Sequence, residues 1–600
     1  MTPDSLRSRA SRRGIADGYH DIGGHWHQPD AQTLERLLSA LGPDVPPGAA
    51  APPEPATCHL PAALSDDRKA WGLSVQLYGL RSDRNWGIGD FGDLAELAEL
   101  AAQCGAAALQ LSPLHALYAA RPAHCSPYSP SSRLFLNPLY IDVGAVPELE
   151  HSATVRRFID ADSFRRRLAA LRAGPRIDYP AVAALKLPVL RMLFGEFVDR
   201  HIRGDSAPCA EFVAFRERGG QALQDFALFE ALDRRLARTH PEGWRSWPAA
   251  WRDRDPAALR DFERQHPNEI LFPIYLQWLA GTQLEQAQQR ARAAGMAIGL
   301  IADLAVGADP AGADAWRDRE LLALDAEIGA PPDAFAADGQ AWGLAPWRPQ
   351  ILAARDYSPW RELLAANMCA VGGLRIDHVI GCERQFWVPR GLSASAGAYV
   401  SFPREAMLAV LAACSRQQRC LVIGEDLGTV PEGFSARLAE AAVLSTRVLR
   451  FERYPDGLFR RPETYPDLAC ACAGTHDLSP LAAWLETGSA AAGSAAEAPP
   501  DDERQLLQAA LVDAGTAPQS AAIEAHIAAL HSFLAATPCR LVMVQLEDIL
   551  AEREPANRPG TGPEQPNWQR KYAVPAAALA NWPAWQTTAE LFRRAGRVAA

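Results

Sequence analysis

The sequence predicts an α/β fold: a (β/α)8 TIM barrel with mainly helical inserted subdomains and a small N-terminal helical module. From residue 71 onward, short apolar runs alternate with longer amphipathic segments, a pattern typical of βα units in a parallel sheet. At least seven such runs occur before residue 547, which favours a closed barrel over a smaller open sheet. A chain of 600 residues is long enough for one large barrel that carries insertions.

The N-terminal region, residues 1–56, is predicted to be a helical segment followed by a linker. Residues 31–41 place apolar side chains at helical spacing. Residues 42–56 are rich in proline, alanine and glycine, as linkers often are. We therefore assign residues 57–600 to the barrel domain.

The barrel elements are predicted from the alternating pattern. The apolar runs predict strands at residues 71–76, 107–111, 298–304, 373–376, 420–423, 447–451 and 541–546. Predicted helices lie between them, at residues 93–103, 358–370, 404–416 and 431–441. Helical spacing also dominates residues 155–289, so we expect an inserted, mainly helical subdomain around residues 150–290. An exposed loop is expected at residues 489–500, which are rich in alanine, serine and glycine.

Composition argues against several classes of partner. The net charge of −11 gives a mildly acidic surface, whereas nucleic-acid binding relies on clustered lysine and arginine. The N-terminus has no apolar signal region, and no stretch reaches the 18 or so apolar residues of a membrane span. We therefore expect a cytoplasmic protein with no nucleic-acid or membrane partner. The sequence leaves the oligomeric state open.

The cysteines favour buried free thiols. The chain has 11 cysteines, an odd number scattered along its length. The closest pair, Cys470 and Cys472, has the spacing C-x-C, and no histidine cluster at metal-ligand spacing accompanies it. This pattern predicts reduced thiols in the cytoplasm and no metal site.

Acidic residues occur repeatedly at the ends of predicted strands. Asp303 lies at the end of one strand, and Asp377, Glu425 and Asp477 each follow a short apolar run. In parallel α/β proteins, ligands bind outside the carboxyl ends of the strands, so these acids are expected to share one cleft. For any single acid, capping of a helix N-terminus is the alternative.

The residues next to these acids favour a catalytic role over helix capping. Arg375 lies two residues before Asp377, and strand positions two apart point to the same side. A nearby guanidinium favours the ionised carboxylate, which a nucleophile requires. His378 follows Asp377 directly, and His476 precedes Asp477.

Nine motifs, in order along the chain, carry a resemblance to a known family. The sequence resembles the 4-α-glucanotransferases of the amylomaltase family, within the α-amylase-like superfamily of retaining glycosidases. The resemblance rests on WGLSVQLYGLRSDRNWGIGDFGDL (71–94), SPYSPSSRLFLNPLYIDV (126–143), IADLAVG (301–307), GAPPDAFAADGQAWG (329–343), GGLRIDHVIG (372–381), GAYVSFP (397–403), VIGEDLGTVP (422–431), GTHDL (474–478) and NRPGT with NWQRKY (557–561, 567–572).

The resemblance implies the catalytic residues. Asp377 in RIDH matches the nucleophile, Glu425 in GEDLG the acid/base, and Asp477 in THDL the third carboxylate. Retaining transfer requires one carboxylate to attack the anomeric carbon while a second carboxyl group exchanges protons with the leaving and incoming oxygens. Asp426 is the local rival of Glu425, but strand alternation points it away from its neighbour.

The resemblance also implies substrate contacts. Arg375, His378 and His476 are expected to contact sugar hydroxyls, and Asp303 is expected either to support the site or to bind sugar. The loop at residues 329–343 arches over the cleft in the family. Further expected contacts are Asp333, Trp342, Tyr128 and Asn557.

The function implied is transfer of a segment of an α-1,4-glucan or maltooligosaccharide to the 4-hydroxyl of another glucan or glucose, without a cofactor. A hydrolase of the same superfamily and a non-catalytic glucan-binding protein are the alternatives, and the three carboxylates argue against the latter. One departure from the family pattern follows THDL, where SPLAAWLE keeps only Trp484 of the usual aromatic residues.

Overall fold

Eight parallel strands close into a barrel at the centre of the computed structural model, which describes residues 3–21, 24–48, 56–202, 207–332, 338–486, 501–562 and 564–598. Each strand pairs with the next in chain order, and the last pairs with the first. The strands are β1 Ala70–Val75, β2 Ala108–Leu111, β3 Gly299–Leu304, β4 Gly373–Ile376, β5 Leu421–Gly424, β6 Leu444–Val448, β7 Ala469–Cys472 and β8 Leu541–Gln545. The predicted fold class is confirmed.

Two strands differ from the prediction. The strand expected at residues 447–451 is wrong: β6 ends at Val448, and Leu449–Phe451 form a 3-10 turn. Leu444 and Val448 fill the barrel interior, whereas Phe451 is exposed, so burial selects the earlier run. β7 was absent from the predicted strands because its four residues include no β-branched or aromatic side chain.

Alternation along the barrel strands separates two apolar layers. Inward side chains, such as Ile301, Leu421 and Leu541, form one buried cluster within the barrel. Outward side chains, such as Leu73 and Val542, pack against the surrounding helices. Both layers follow from the two-residue repeat of a strand.

Helices cover the outside of the barrel. They include Phe91–Gln103, Ser358–Met368, Arg404–Gln418, Phe434–Glu440, Leu481–Glu486, Asp501–Asp513, Ile523–Ala535 and Pro583–Arg594. The first of these begins with a capping box in which the Asp90 side chain accepts from Asp93 N and the Asp93 side chain accepts from Asp90 N. Its buried leucines face the barrel.

Residues between β2 and β3 are mainly helical, as the pattern predicts. The longer helices there are Asp162–Ala173, Tyr179–Phe197, Ala207–Leu236, Pro256–Gln265 and Pro267–Ala293, with shorter ones at Pro147–His151, Ala153–Asp160 and Ala249–Arg252. Pro267–Ala293 packs against both Ala207–Leu236 and the barrel helix Phe91–Gln103. The helical segment is thereby attached directly to the barrel.

The N-terminal helices Pro3–Arg12 and Ala31–Leu41 pack on a four-stranded antiparallel sheet outside the barrel. Leu37 and Trp387 meet in this interface, and both are completely buried. The sheet consists, in spatial order, of Ala398–Ser401, Arg384–Pro389, Ala326–Ala330 and Gln340–Ala341. Its last strand leads directly to Trp342.

Short two-stranded ladders complete the described structure, at Tyr19–His20 with Trp26–His27 and at His115–Ala116 with Ser132–Leu136. Within the residues listed above, no helix has both the length and the apolar character needed to cross a membrane. The loop expected at residues 489–500 and part of the expected linker, residues 49–55, lie outside the described residues.

Candidate active site

The candidate site lies where β3, β4 and β5 end. Arg375 on β4 stands opposite Asp303 on β3 in the strand register. Asp377 and Glu425 directly follow Ile376 and Gly424, which are also register partners. Three of the acids predicted from strand ends therefore meet at the same level of the barrel.

Arg375 joins two of these carboxylates. Its Nη1 lies 2.7 Å from Asp303 Oδ1 and 3.0 Å from Asp377 Oδ1. Burial alone would lower the pKa of this guanidinium, but the two carboxylates outweigh burial and raise it. Asp377 is therefore held beside a permanent positive charge, as the sequence predicts.

Glu425 is held differently. Its Oε2 accepts a hydrogen bond from His378 N at 2.8 Å, and its Oε1 accepts one from Leu427 N at 2.7 Å. In the described part of the chain, no cationic side chain forms an ion pair with it. Burial, followed by the negative charge of Asp377, raises the pKa of Glu425 to about 7. Glu425 can thus be protonated near neutral pH.

Close packing explains the glycine that precedes Glu425. A Cβ atom at Gly424 would lie 2.8 Å from Val379 Cγ1, too close for a side chain. His378 has a left-handed backbone with φ of 49°, and the resulting turn directs its amide to Glu425. The segments that follow β4 and β5 are therefore fitted to each other.

The third carboxylate, Asp477, follows β7. His476 Nε2 lies 3.3 Å from Asp477 Oδ2, and Asn557 Nδ2 donates to Asp477 Oδ1 at 2.6 Å. Although burial opposes ionisation of Asp477, His476 and Asn557 outweigh it and lower its pKa to about 2. Burial also opposes the charge of His476, but Asp477 raises the pKa of that imidazole overall. The pair is stabilised in its charged form.

Tyr128 links the two halves of the site. Its hydroxyl donates to Asp303 Oδ2 at 2.6 Å and lies 3.1 Å from His476 Nδ1. Its ring stacks on His476, with centroids 4.4 Å apart. Trp568 packs against both rings, at 5.3 Å from Tyr128 and 5.6 Å from His476. Trp568 was not singled out from the sequence, although its place in NWQRKY was the available signal.

Trp342 reaches the site from the sheet outside the barrel. Its ring stands edge-to-face with His378, with centroids 5.3 Å apart. Trp342 Nε1 donates to Gln340 Oε1 at 3.0 Å, which fixes the indole on its hairpin. Asp333, expected on the same loop, lies outside the described residues.

Asp426 and Trp484 are close in sequence to the predicted catalytic residues, but their side chains are held by other parts of the fold. Asp426 is buried and accepts from Thr446 N and Ser435 Oγ, each at 2.9 Å, so it points away from Glu425 as strand alternation predicts. Trp484 is buried beneath the Arg450 guanidinium, 4.5 Å from its ring centroid. Neither side chain faces the carboxylate pair.

A cavity extends from the site into the barrel. Its lining includes Tyr128, Asp303, Arg375 and His476, together with Gln76. Gln76 Oε1 is buried and has no hydrogen-bond partner among the described residues. A concave, partly polar pocket beside carboxyl groups with different electrostatic surroundings is suited to acid/base and nucleophilic chemistry on a hydroxylated ligand. In the same described residues, no group of three or more histidine, cysteine or acidic side chains is placed to hold a metal ion.

Comparisons with known proteins show which family the sequence matches. A glycoside hydrolase family 77 model, described as 4-alpha-glucanotransferase, matches residues 75–576. The chain is 37% identical over 550 residues to a 4-alpha-glucanotransferase of Haemophilus influenzae, covering 88% of this chain and 78% of that one. It is 37% identical over 541 residues to a 4-alpha-glucanotransferase of Mycobacterium tuberculosis, covering 84% of this chain and 71% of that one.

Solved structures show the same architecture. The amylomaltase from Corynebacterium glutamicum superposes with a TM-score of 0.83 at 29% identity, covering 98% of this chain and 99% of that one. The amylomaltase from Streptococcus agalactiae, solved with acarbose, superposes with a TM-score of 0.73 at 20% identity, covering 88% and 100%. The second match supports the fold alone.

Proposed function

The chain belongs to the 4-α-glucanotransferase family, and we propose that its transfer reaction is carried out by Asp377, Glu425 and Asp477. Transglycosylation of glucans is the activity of this family. One observation carries the residue assignment: Asp377 and Glu425, which directly follow β4 and β5, have contrasting electrostatic surroundings. Asp377 lies beside Arg375, while Glu425 is buried and has only backbone donors within the described part of the chain.

In the first half of the reaction, an Asp377 oxygen attacks C1 of a glucose unit in the donor glucan. The bond from C1 to the 4-oxygen of the next unit breaks, and the Glu425 proton moves to that departing oxygen. The pKa of Glu425, raised to about 7, supports this role because the residue can carry the proton near neutral pH.

In the second half, the 4-hydroxyl of an acceptor attacks the same C1. Its proton passes to the Glu425 carboxylate, and the bond between C1 and Asp377 breaks. Two inversions at C1 leave the α configuration unchanged. No cofactor takes part in either half, because the two carboxyl groups supply both the nucleophile and the proton.

Asp477 and its neighbours hold the sugar in this proposal. The ionised Asp477 can accept hydrogen bonds from glucose hydroxyls, because its side chain remains 46% exposed. We assign Asp303, Arg375, His378, His476, Tyr128 and Asn557 to the same pocket. Trp342 offers an apolar face to a second glucose unit beside His378. Asp333 is assigned to the loop by the sequence alone.

An aromatic side chain near the reacting groups supports transfer over hydrolysis. Trp342 lies against the ring of His378, and the amide of His378 donates to Glu425, so in this proposal the indole limits the access of water to the acid/base. Substrates in this proposal are maltooligosaccharides and α-1,4-glucans.

The remaining proposals concern the whole chain. We propose a cytoplasmic location, which the 11 free cysteines support because disulfides are rare in that compartment. We also propose that the chain divides into residues 1–56 and a catalytic domain of residues 57–600, with an inserted helical subdomain around residues 150–290. The packing of Pro267–Ala293 against the barrel helix is consistent with such an insertion.

The decisive experiment uses Glu425→Gln protein with α-maltosyl fluoride, whose leaving group requires no proton. We expect a maltosyl group to accumulate on the peptide containing Asp377, since attack proceeds while the deprotonating base is missing. Mass spectrometry of the acid-quenched protein locates the group. Glu432→Gln, which removes an exposed acid nearby, is the matched control and should turn over normally. A maltosyl group on any other side chain would reject the nucleophile assignment.

A second assay tests the reaction type. Incubation of the wild-type protein with maltotriose is expected to give glucose and a ladder of longer maltodextrins. Trp342→Ala should shift the products towards maltose and glucose, because water gains access to the intermediate. Glucose and maltose alone from the wild-type protein would mean that it is a hydrolase.

A further inference from the structure

Two cysteines with no part in the proposed reaction lie inside the barrel, beside the proposed substrate-binding residues Arg375 and Asp303. Cys470 and Cys472 are two residues apart on β7, so both side chains point inward. Both are free thiols, buried to 4% and 9% exposure. They line the same cavity as Arg375 and Asp303. The C-x-C spacing noted in the sequence therefore places two thiols at the wall of the glucan site.

A third sulfur atom completes the group. Met543 on β8 is the register partner of Cys472 and lines the same cavity. Gly72 on β1 is the register partner of Met543 on its other side. A Cβ atom at Gly72 would lie 2.8 Å from Met543 Sδ, so this glycine makes room for the thioether. We refer to Cys470, Cys472 and Met543 as the sulfur cluster.

We propose that the sulfur cluster is a binding site for a soft, thiophilic metal ion, such as Hg²⁺, and that an ion bound there blocks the glucan pocket. Thiolates and thioethers are the ligands that soft metal ions prefer. Residues two apart on a strand stand roughly 6.6 Å apart at their Cα atoms, and side-chain rotation brings both sulfur atoms within reach of one bridging ion.

The chemistry balances without a redox step. One Hg²⁺ displaces the protons of Cys470 and Cys472, two sulfur–mercury bonds form, and two H⁺ pass to solvent. The product is electrically neutral, which suits a buried cavity because burying net charge is costly. The Met543 thioether can add a weaker third contact without releasing a proton.

Burial gives the cluster a distinctive selectivity. Cys470 and Cys472 are only 4% and 9% exposed, and they line a cavity inside the barrel. An alkylating reagent of several atoms, such as iodoacetamide, should therefore react slowly with these thiols, whereas a single metal ion is small enough to enter the cavity.

Occupation should affect catalysis because the cluster shares a cavity with side chains that contact two of the proposed catalytic carboxylates. Arg375 holds Asp377 and faces that cavity, as do Asp303 and His476. An ion and a glucose unit would therefore compete for the same space. This effect on activity rests on the proposed function, whereas metal binding itself does not.

The test is a titration with mercuric chloride. Four full-length proteins are compared: wild type, the double variant Cys470→Ser with Cys472→Ser, Cys369→Ser as the control for an exposed thiol, and Asp377→Asn. Transfer from maltotriose is measured for the first three. Mercury retained after gel filtration and protons released in weak buffer are measured for all four.

Mercuric chloride should lower the transfer rate of wild type and Cys369→Ser at least tenfold, and saturating maltotriose should slow this loss. Iodoacetamide should leave the transfer rate of both proteins nearly unchanged. The double variant should keep its own starting rate and retain one mercury fewer per chain. Equal mercury retention by wild type and the double variant would overturn the site. Asp377→Asn should bind mercury like wild type, which separates this inference from the catalytic assignment.

A double variant that does not fold is recognised by circular dichroism. The single variants Cys470→Ala and Cys472→Ala then replace it, since each retains one thiol of the bridging pair. Each should need at least tenfold more mercury for half-inactivation than wild type does. Unchanged sensitivity of both single variants would reject the bridged site.

Discussion

The ends of β4 and β5 place two carboxyl groups side by side in contrasting surroundings. At β4, Asp377 lies 3.0 Å from the Arg375 guanidinium, which also holds Asp303. At β5, Glu425 is buried, and the amides of His378 and Leu427 are its only hydrogen-bond donors among the described residues. One carboxyl group of the pair thus has a cationic neighbour, and the other has only backbone donors around it. This difference supports the proposal that Asp377 is the nucleophile and Glu425 the acid, because similar side chains take different roles in different surroundings.

Asp377→Asn, which removes the charge of one carboxyl group of the pair, is expected to have the largest effect on activity. The amide cannot attack C1, although it still fits beside Arg375. We expect kcat/KM for maltotriose to fall by about four orders of magnitude or more. Circular dichroism and binding of maltooligosaccharides should be close to wild type. Full activity in this variant would contradict the nucleophile assignment.

Glu425→Gln removes the proposed proton donor. Transfer from maltotriose should fall by roughly 10²–10⁴-fold, the usual contribution of a general acid. With α-maltosyl fluoride the loss in the first step should be far smaller, because fluoride leaves without a proton. Burst kinetics with both donors measure the difference. An equal loss with both would argue that Glu425 has only a structural role.

The pH dependence of kcat/KM tests the role of Glu425 in the wild-type protein. In the proposed mechanism the first step needs protonated Glu425, and burial raises the pKa of this residue to about 7. Rising pH should therefore lower kcat/KM for maltotriose by about tenfold per unit above that value. This fall of kcat/KM above pH 7 should be absent with α-maltosyl fluoride. Rates measured from pH 5 to 9 at constant ionic strength provide the check.

The protonation of Glu425 also affects stability. Its carboxyl group has a pKa of about 7 in the folded chain against 4.5 when free, so the folded chain binds the proton more tightly. As pH rises from about 4.5 to 7, the unfolded chain loses this proton first, and stability falls until both states are ionised. Glu425→Gln should therefore be more stable than wild type by about 1–3 kcal/mol above pH 7. Urea denaturation at pH 5 and pH 8 tests this, and an advantage confined to pH 5 would contradict it.

Tyr128→Phe is expected to have the smallest effect. The variant removes a hydrogen bond to Asp303 at 2.6 Å and a contact with His476, while the ring stacking remains. We expect kcat/KM to fall roughly tenfold, the effect of losing one hydrogen bond to a charged group. Leu458→Ala, at an exposed position beyond β6, is a control that should leave the rate unchanged. A larger loss than in Glu425→Gln would place Tyr128 closer to the reaction than proposed.

Much of the barrel could be predicted because its strands are short, mainly apolar and largely buried. The run at residues 373–376 agrees exactly in its bounds with β4. β6 was misplaced because apolar residues continue past its end into Leu449–Phe451, and only the burial of Leu444 fixes the strand. β7 is built from alanine and cysteine, which carry little local preference for a strand.

The sequence predicted which residues belong to the candidate site better than it predicted the contacts between them. Acids at strand ends indicated where Asp377 and Glu425 would meet, because parallel strands end at one rim. The contact between Asn557 and Asp477 joins residues 80 positions apart, so no local pattern contains it. The raised pKa of Glu425 depends on burial by distant segments, which sequence spacing does not report. Trp568 was missed for the same reason, since it meets Tyr128 only in the folded chain.

The buried bridge between Asp303, Arg375 and Asp377 has a consequence for the ionic strength at which the protein can work. Mobile ions screen exposed charges over a Debye length of about 8 Å in physiological salt, but they enter a closed barrel poorly. The Arg375 side chain is only 9% exposed, so its attraction to both carboxylates should survive concentrated salt. Glucans carry no charge, and their approach is therefore not steered by the field of the protein. Turnover should consequently change little between dilute buffer and molar sodium chloride.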